Sequence, residues 1–202
     1  MSERTLRSIL GATAPVSLTA RNTALLVIDF QNEYFTGSLP IPDGAAALRN
    51  ARTLVDYADR HGWRVVHVQH VAPVDSPLFA AESRNAQIHA DLQPRPAHRV
   101  ISKSSVSVFA STDLATTLKN DGITHLVICG LMTHACVAGA ARDAVPAGFE
   151  VIVAADACAT RDIVVDSKLS VGHDTLHRSA LAEIADTFGS VMSTGDVLSL
   201  HA

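Results

Sequence analysis

Strand-length apolar runs alternate along this chain with segments of helical periodicity, and that alternation limits the possible folds more than anything else in it. Ala24-Leu25-Leu26-Val27-Ile28 and Leu126-Val127-Ile128-Cys129 contain no charged or amide residue. A strand with one wet face would alternate. An unbroken run fits a strand covered on both faces, as in a parallel sheet. Trp63–Val68, Arg99–Lys103, Glu150–Ala154 and Ser190–Ser193 are further strand candidates. After the first strand, Ala47, Leu48, Ala51, Leu54, Val55 and Ala58 recur at helical spacing. A helix is therefore expected from the cap Asp43 to about His61, with Gly62 as its stop. Other helices are expected over Asp113–Asn120, from the Cys136 stretch to about Ala147 where Pro146 interferes, and over about Asp174–Phe188. Asp196–Leu200 reads as a closing turn of helix, and residues 1–20 as an N-terminal arm. With no repeat and no linker, the whole of 1–202 reads as a single domain: one parallel sheet with helices on both faces and right-handed crossovers.

Composition removes several function classes. A net charge of -4 with no basic stripe speaks against a nucleic-acid partner. No stretch approaches the roughly 20 apolar residues of a membrane span. Met1–Arg7 leads into no apolar run, so no secretory signal is expected. Three cysteines without a CxxC pair make no disulfide framework and favour a reducing cytoplasm. Ten histidines invite a metal reading, but no HExxH is present and none precedes His61, so no metal is expected.

In open α/β sheets ligands bind outside the carboxyl ends of the strands. Three chemistry-bearing residues stand there: Asp29 after the first apolar run, Lys103 at the end of a short strand, and Cys136 one turn into the helix after the fourth strand. Each has a plainer use. Asp29 could cap a turn, Lys103 could be an ordinary surface lysine, and Cys136 could be a small core residue among alanines and valines. A helix start favours a thiolate through its free N–H groups and dipole, so Cys136 is expected to be an activated nucleophile. Residues 71–98 carry Pro73, Pro77, Pro94 and Pro96 without a clear period, and read as a lid or pocket wall.

Val27-Ile28-Asp29-Phe30-Gln31-Asn32, Lys103 after its strand, and Gly130-Leu131-Met132-Thr133-His134-Ala135-Cys136-Val137 together resemble the isochorismatase-like cysteine hydrolases. The last motif is the specific one, and the likeness runs from about residue 22 to the end. It implies a three-layer α/β/α fold with a six-stranded parallel sheet, and no cofactor. It implies Cys136 as a nucleophile that forms a thioester, Asp29 as its base, and Lys103 as the cation that holds both in register. It implies a cis peptide at Leu131–Met132 and an oxyanion hole from the N–H groups of Met132 and Cys136.

Retention of Cys136 points to a C–N hydrolase of a small amide or ureido compound. The alternative is isochorismatase-type hydrolysis of a vinyl ether in a small acid. Nicotinamidases carry an Asp-x-His pair after the first motif, yet Phe30 to Arg60 holds no histidine, and His70 alone is no metal site. Gln31, Phe35, Phe79, Phe109, Met132 and His134 are expected around a small-molecule pocket. Thr133 is expected to brace the turn by a side-chain hydrogen bond to backbone, and Cys129 and Cys158 to be structural. Asp156, Arg161 and Asp162 are expected to form a salt-bridged turn or an interface. The resemblance also implies a homodimer or homotetramer whose pocket a neighbour completes.

Overall fold

A computed structural model describes residues 4–200 of the chain. Its strands, in chain order, are β1 (Thr23–Ile28), β2 (Arg64–His70), β3 (Arg99–Lys103), β4 (His125–Leu131), β5 (Glu150–Ala159), β6 (Ile163–Val164), β7 (Ser170–Val171) and β8 (Ser190–Met192). The helices are α1 (Leu6–Ile9), α2 (Gly44–Arg60), α3 (Leu114–Asn120), α4 (Ala138–Ala144), α5 (His173–Glu183) and α6 (Thr194–Leu198). A π-helical turn at Thr133–Val137 leads into α4, and another at Ile184–Phe188 continues α5. Six strands form one all-parallel sheet in the order β3-β2-β1-β4-β5-β8. The α/β fold expected from the alternation is the fold found.

Every residue of β1 is buried, which is why the run carries no alternation. Successive side chains still point to opposite faces. Leu25 and Val27 join Ala51, Leu54 and Val55 of α2 in one core cluster. Leu26 and Ile28 join Leu114, Leu118, Ala140 and Ala141 of α3 and α4 in the other. The sheet grows outward from β1 through β2 to β3, then restarts on the other side of β1 with β4. That reversal opens a crevice outside the carboxyl ends of β1 and β4. The two strands approach closely at Gly130, where a Cβ would lie 2.5 Å from the Ile28 carbonyl oxygen; only glycine fits.

Several boundaries differ from expectation. Strand β5 runs on to Ala159 rather than stopping at Ala154. Asp156 made the following residues read as a polar turn, but Ala157, Cys158 and Ala159 are buried and pair with β4 past a bulge between Ile128 and Gly130. Asp156 is satisfied at the surface, where its Oδ1 accepts from the Thr194 N–H and hydroxyl at 2.7 and 2.8 Å. The hairpin of β6 and β7 was not anticipated. The closing helix begins two residues early, because Ser193 and Asp196 form a capping box. Of the arm, residues 1–3 lie outside the described residues; α1 exposes Leu6, Ile9 and Leu10. Among the described residues no helix is long and apolar enough to cross a membrane.

The 71–98 segment has one short turn of helix, Ala90–Leu92, and is sewn to the chain leaving β1. The N–H groups of Asn32 and Glu33 donate to the carbonyls of Gln87 and Asn85, and that of His89 to Phe30. It is therefore a wall beside the end of β1, held by backbone hydrogen bonds.

Candidate active site

Asp29 leaves β1 in a left-handed conformation, φ +55°, a region where non-glycine residues are uncommon and often functional. The turn is fixed by its N–H, which donates to the Val68 carbonyl at 2.9 Å, and its carbonyl, which accepts from Gln31 N–H at 2.8 Å. The Leu131–Met132 peptide is cis. Cys136 follows in the π-helical turn and is 6% exposed. Lys103 reaches in from β3, two strands away.

These three groups meet. Lys103 Nζ lies 2.8 Å from Asp29 Oδ2 and 3.4 Å from Cys136 Sγ. It lies 3.1 Å from His70 Nδ1 and 3.2 Å from the Ser105 carbonyl. The Asp29 and Lys103 side chains are both 0% exposed. Both Asp29 carboxylate oxygens are buried without a hydrogen-bond partner, and carboxylate and thiol act on each other electrostatically. Burial pushes the Asp29 carboxyl above its ordinary range, against the opposing pull of Lys103. Burial, and then the Asp29 charge, pushes the Cys136 thiol up to about 12. That corrects the expectation of a thiolate. Desolvation and a neighbouring carboxylate outweigh the helix start, so the resting sulfur holds its proton, with a base beside it to take it.

The remaining expected residues have varied surroundings, and Phe109 lies in the core instead of at a pocket. Gln31 is fully buried and its amide is engaged with the backbone. Nε2 donates to the carbonyls of His70 and Ala86 at 2.8 and 2.7 Å, and Oε1 accepts from the His70 N–H at 2.8 Å. Phe79 is buried and packs edge-on against Tyr34 and His70. Half-buried Phe35 packs on His89. Phe109 stacks on Phe149, in the core under α4. His134 is half-buried, with Nδ1 2.6 Å from the Thr160 hydroxyl. Thr133 is fully buried, and its hydroxyl meets His177 Nδ1 at 2.8 Å instead of the backbone partner expected, tying the turn to α5. Met132 packs against the α2-side cluster. Cys129 and Cys158 are buried in the sheet.

Two residues were not anticipated at the site. Burial, then the nearby Cys136 and Asp29, raise the Tyr34 hydroxyl well above its ordinary range, while Arg161 pulls the other way. Tyr34 is thus within electrostatic reach of sulfur, carboxylate and guanidinium. Arg161 also acts on His134, and its Nε is buried without a hydrogen-bond partner, although Nη1 donates to the Asp162 carbonyl. A buried guanidinium N–H left open is costly unless something fills it. Strand-end logic would have found Arg161 had β5 been read to its true end. Among the described residues no cluster of three or more His, Cys, Asp or Glu could hold a metal.

The family model described as the Isochorismatase domain matches residues 23–196. This chain belongs to the isochorismatase family. A secreted isochorismatase effector of Verticillium dahliae is 36% identical, over 95% of this chain and 97% of its own length. The maleamate amidohydrolase of Pseudomonas putida is 30% identical, over 88% of this chain and 86% of its own. A solved isochorismatase structure from Pseudomonas putida superposes with a TM-score of 0.89 at 29% identity, covering 96% of this chain and 99% of that one. The protein is thus an isochorismatase-family hydrolase.

Proposed function

We propose that this hydrolase is a cysteine-dependent amidohydrolase that cleaves the C–N bond of a small amide or ureido acid through a thioester. The observation that carries the reading is the buried ammonium of Lys103, 2.8 Å from Asp29 and 3.4 Å from Cys136. Asp29 takes the thiol proton as Sγ attacks the carbonyl carbon, which keeps an unfavourable free thiolate from accumulating. The N–H groups of Met132 and Cys136 hold the developing oxyanion. Asp29 returns the proton to the departing nitrogen. In the second half it takes a proton from the water that attacks the thioester, and Cys136 leaves as the thiol. The Lys103 ammonium balances whichever of carboxylate and sulfur carries the negative charge.

The open Nε–H of Arg161 supports a carboxylate on the substrate. Maleamate, the substrate in the relative's name, is such an acid. The raised pKa of Asp29 also supports a second reading, in which the carboxylic acid protonates a vinyl ether and Cys136 is dispensable. Assay of small amides and ureido compounds, with and without a carboxylate, beside isochorismate decides between them. The amidohydrolase reading expects C–N cleavage that Cys136→Ala abolishes. Full activity of that variant would end it. A cytoplasmic location is part of the proposal, supported by three free cysteines. So is a homodimer or homotetramer, supported by Val164, Val165 and Leu169 exposed on the hairpin beyond Arg161. Light scattering showing only monomer would remove that part.

A further inference from the structure

The Lys103 ammonium has three hydrogens and no lone pair. Three acceptors take them, His70 Nδ1, the Ser105 carbonyl and Cys136 Sγ, while Asp29 Oδ2 stands 2.8 Å away as a counter-charge whose oxygens have no aligned hydrogen bond. For His70 to take part, Nδ1 must bear its lone pair, so the ring is neutral with its proton on Nε2. The ring has little freedom to do otherwise. β2 and β3 are in register at His70 and Lys103. Gln31 grips the His70 backbone on both its N–H and its carbonyl. Phe79 packs edge-on against the ring at 5.1 Å.

We propose that His70 is the positioning residue of Lys103: its Nδ1 holds the ammonium midway between Asp29 and Cys136, so that neutral His70 is a condition for an active site. Without that acceptor the ammonium moves onto Asp29, its strongest partner, and the sulfur loses its counter-charge. A protonated ring would do the same and add a second cation.

The groups facing His70 set where this happens. Burial and the Lys103 charge disfavour its protonation, while Asp29 and the Ser105 carbonyl favour it, with a net downward shift. Failure through His70 therefore falls below the ordinary histidine range. The proposal rests on Cys136 being the reactive sulfur, but its test needs no substrate.

The experiment measures ¹⁵N shifts of His70 in the intact protein and the rate of Cys136 alkylation by iodoacetamide against pH. It compares wild type, His70→Ala and His70→Asn, whose side-chain oxygen replaces Nδ1 without titrating. Expected are an unprotonated Nδ1 at neutral pH and about tenfold or slower alkylation in His70→Ala. His70→Asn should recover most of the rate and fall off at lower pH than wild type. A proton on Nδ1, or a wild-type rate in His70→Ala, would overturn the assignment. If the alanine variant does not fold, the asparagine variant decides: an acid-side fall identical to wild type contradicts the proposal. Loss of the amidohydrolase reading would show separately, as no C–N cleavage beside an intact dependence of alkylation on His70.

Discussion

Strand β2 carries two histidines three residues apart, on opposite faces of the sheet, in networks of opposite kinds. His67 is 1% exposed, and its Nε2 lies 3.1 Å from His98 Nδ1. His98 Nε2 lies 2.8 Å from Asp59 Oδ1, and Arg95 pairs with Asp56 and Asp59. Each link hands on to a more exposed group, and the chain ends at carboxylates in contact with water. It ties the end of the 71–98 wall to α2. On the other face, His70, Lys103, Asp29 and Cys136 keep an ammonium, a carboxylate and a thiol out of water together. A stabilising network can discharge into solvent. This one keeps its charges where the dielectric is low and a carboxylate competes with three hydrogen-bond acceptors for one ammonium, so a small displacement changes the state of the sulfur.

Breaking the inner network has the largest expected effect. Cys136→Ala should lower turnover by about 10⁴-fold or more, and Asp29→Asn or Lys103→Met by about 10²–10⁴-fold. The single charge variants should also destabilise, because a lone buried charge costs about 3–5 kcal/mol. The double variant Asp29→Asn/Lys103→Met should regain stability in thermal unfolding while staying inactive. Recovery of activity in the double variant would contradict the roles given to both residues.

Arg161→Gln should have a smaller effect, read as substrate discrimination. It should raise KM about 10–100-fold for carboxylate-bearing substrates and leave neutral analogues nearly unchanged, since a hydrogen bond to a charged group contributes about 1.5–3 kcal/mol. Equal losses for both would place the carboxylate elsewhere.

The outer network should show only in stability. Burial, and then His98, lower the His67 pKa to about 4. The unfolded chain binds a proton near pH 6.5 that the folded ring refuses until about 4, so stability is lost as pH falls between those values. The loss amounts to about 3 kcal/mol at most. Denaturant midpoints should fall over that window in wild type and less steeply in His67→Gln, with neutral-pH turnover unchanged. A flat wild-type profile would mean that the ring is not held neutral.

The same contrast explains what the sequence could reveal. Buried parallel strands write themselves as unbroken apolar runs, so β1 and β4 and the residues at their ends were legible. Asp29, Lys103 and Cys136 were legible as residues at or just past strand ends, and the family resemblance joined them into one site. The pairing of His70 with Lys103 was not, because it depends on β2 and β3 being neighbours in register. Arg161 reads from sequence as part of a salt-bridged turn or an interface, because Asp156, a polar residue inside a strand, breaks the apolar pattern before it. The protonation state of Cys136 departs from the sequence expectation because helix position is local and visible, whereas burial beside Asp29 involves a residue more than a hundred positions away.

The central claim is that sulfur, not the carboxylate, attacks the substrate. Acid-quenched turnover followed by mass spectrometry of the intact protein tests it most directly. The expected result is an added acyl mass, mapped to Cys136 and absent from Cys136→Ala. Steady turnover by wild type with no adduct at any quench time, and turnover retained in the alanine variant, would contradict it.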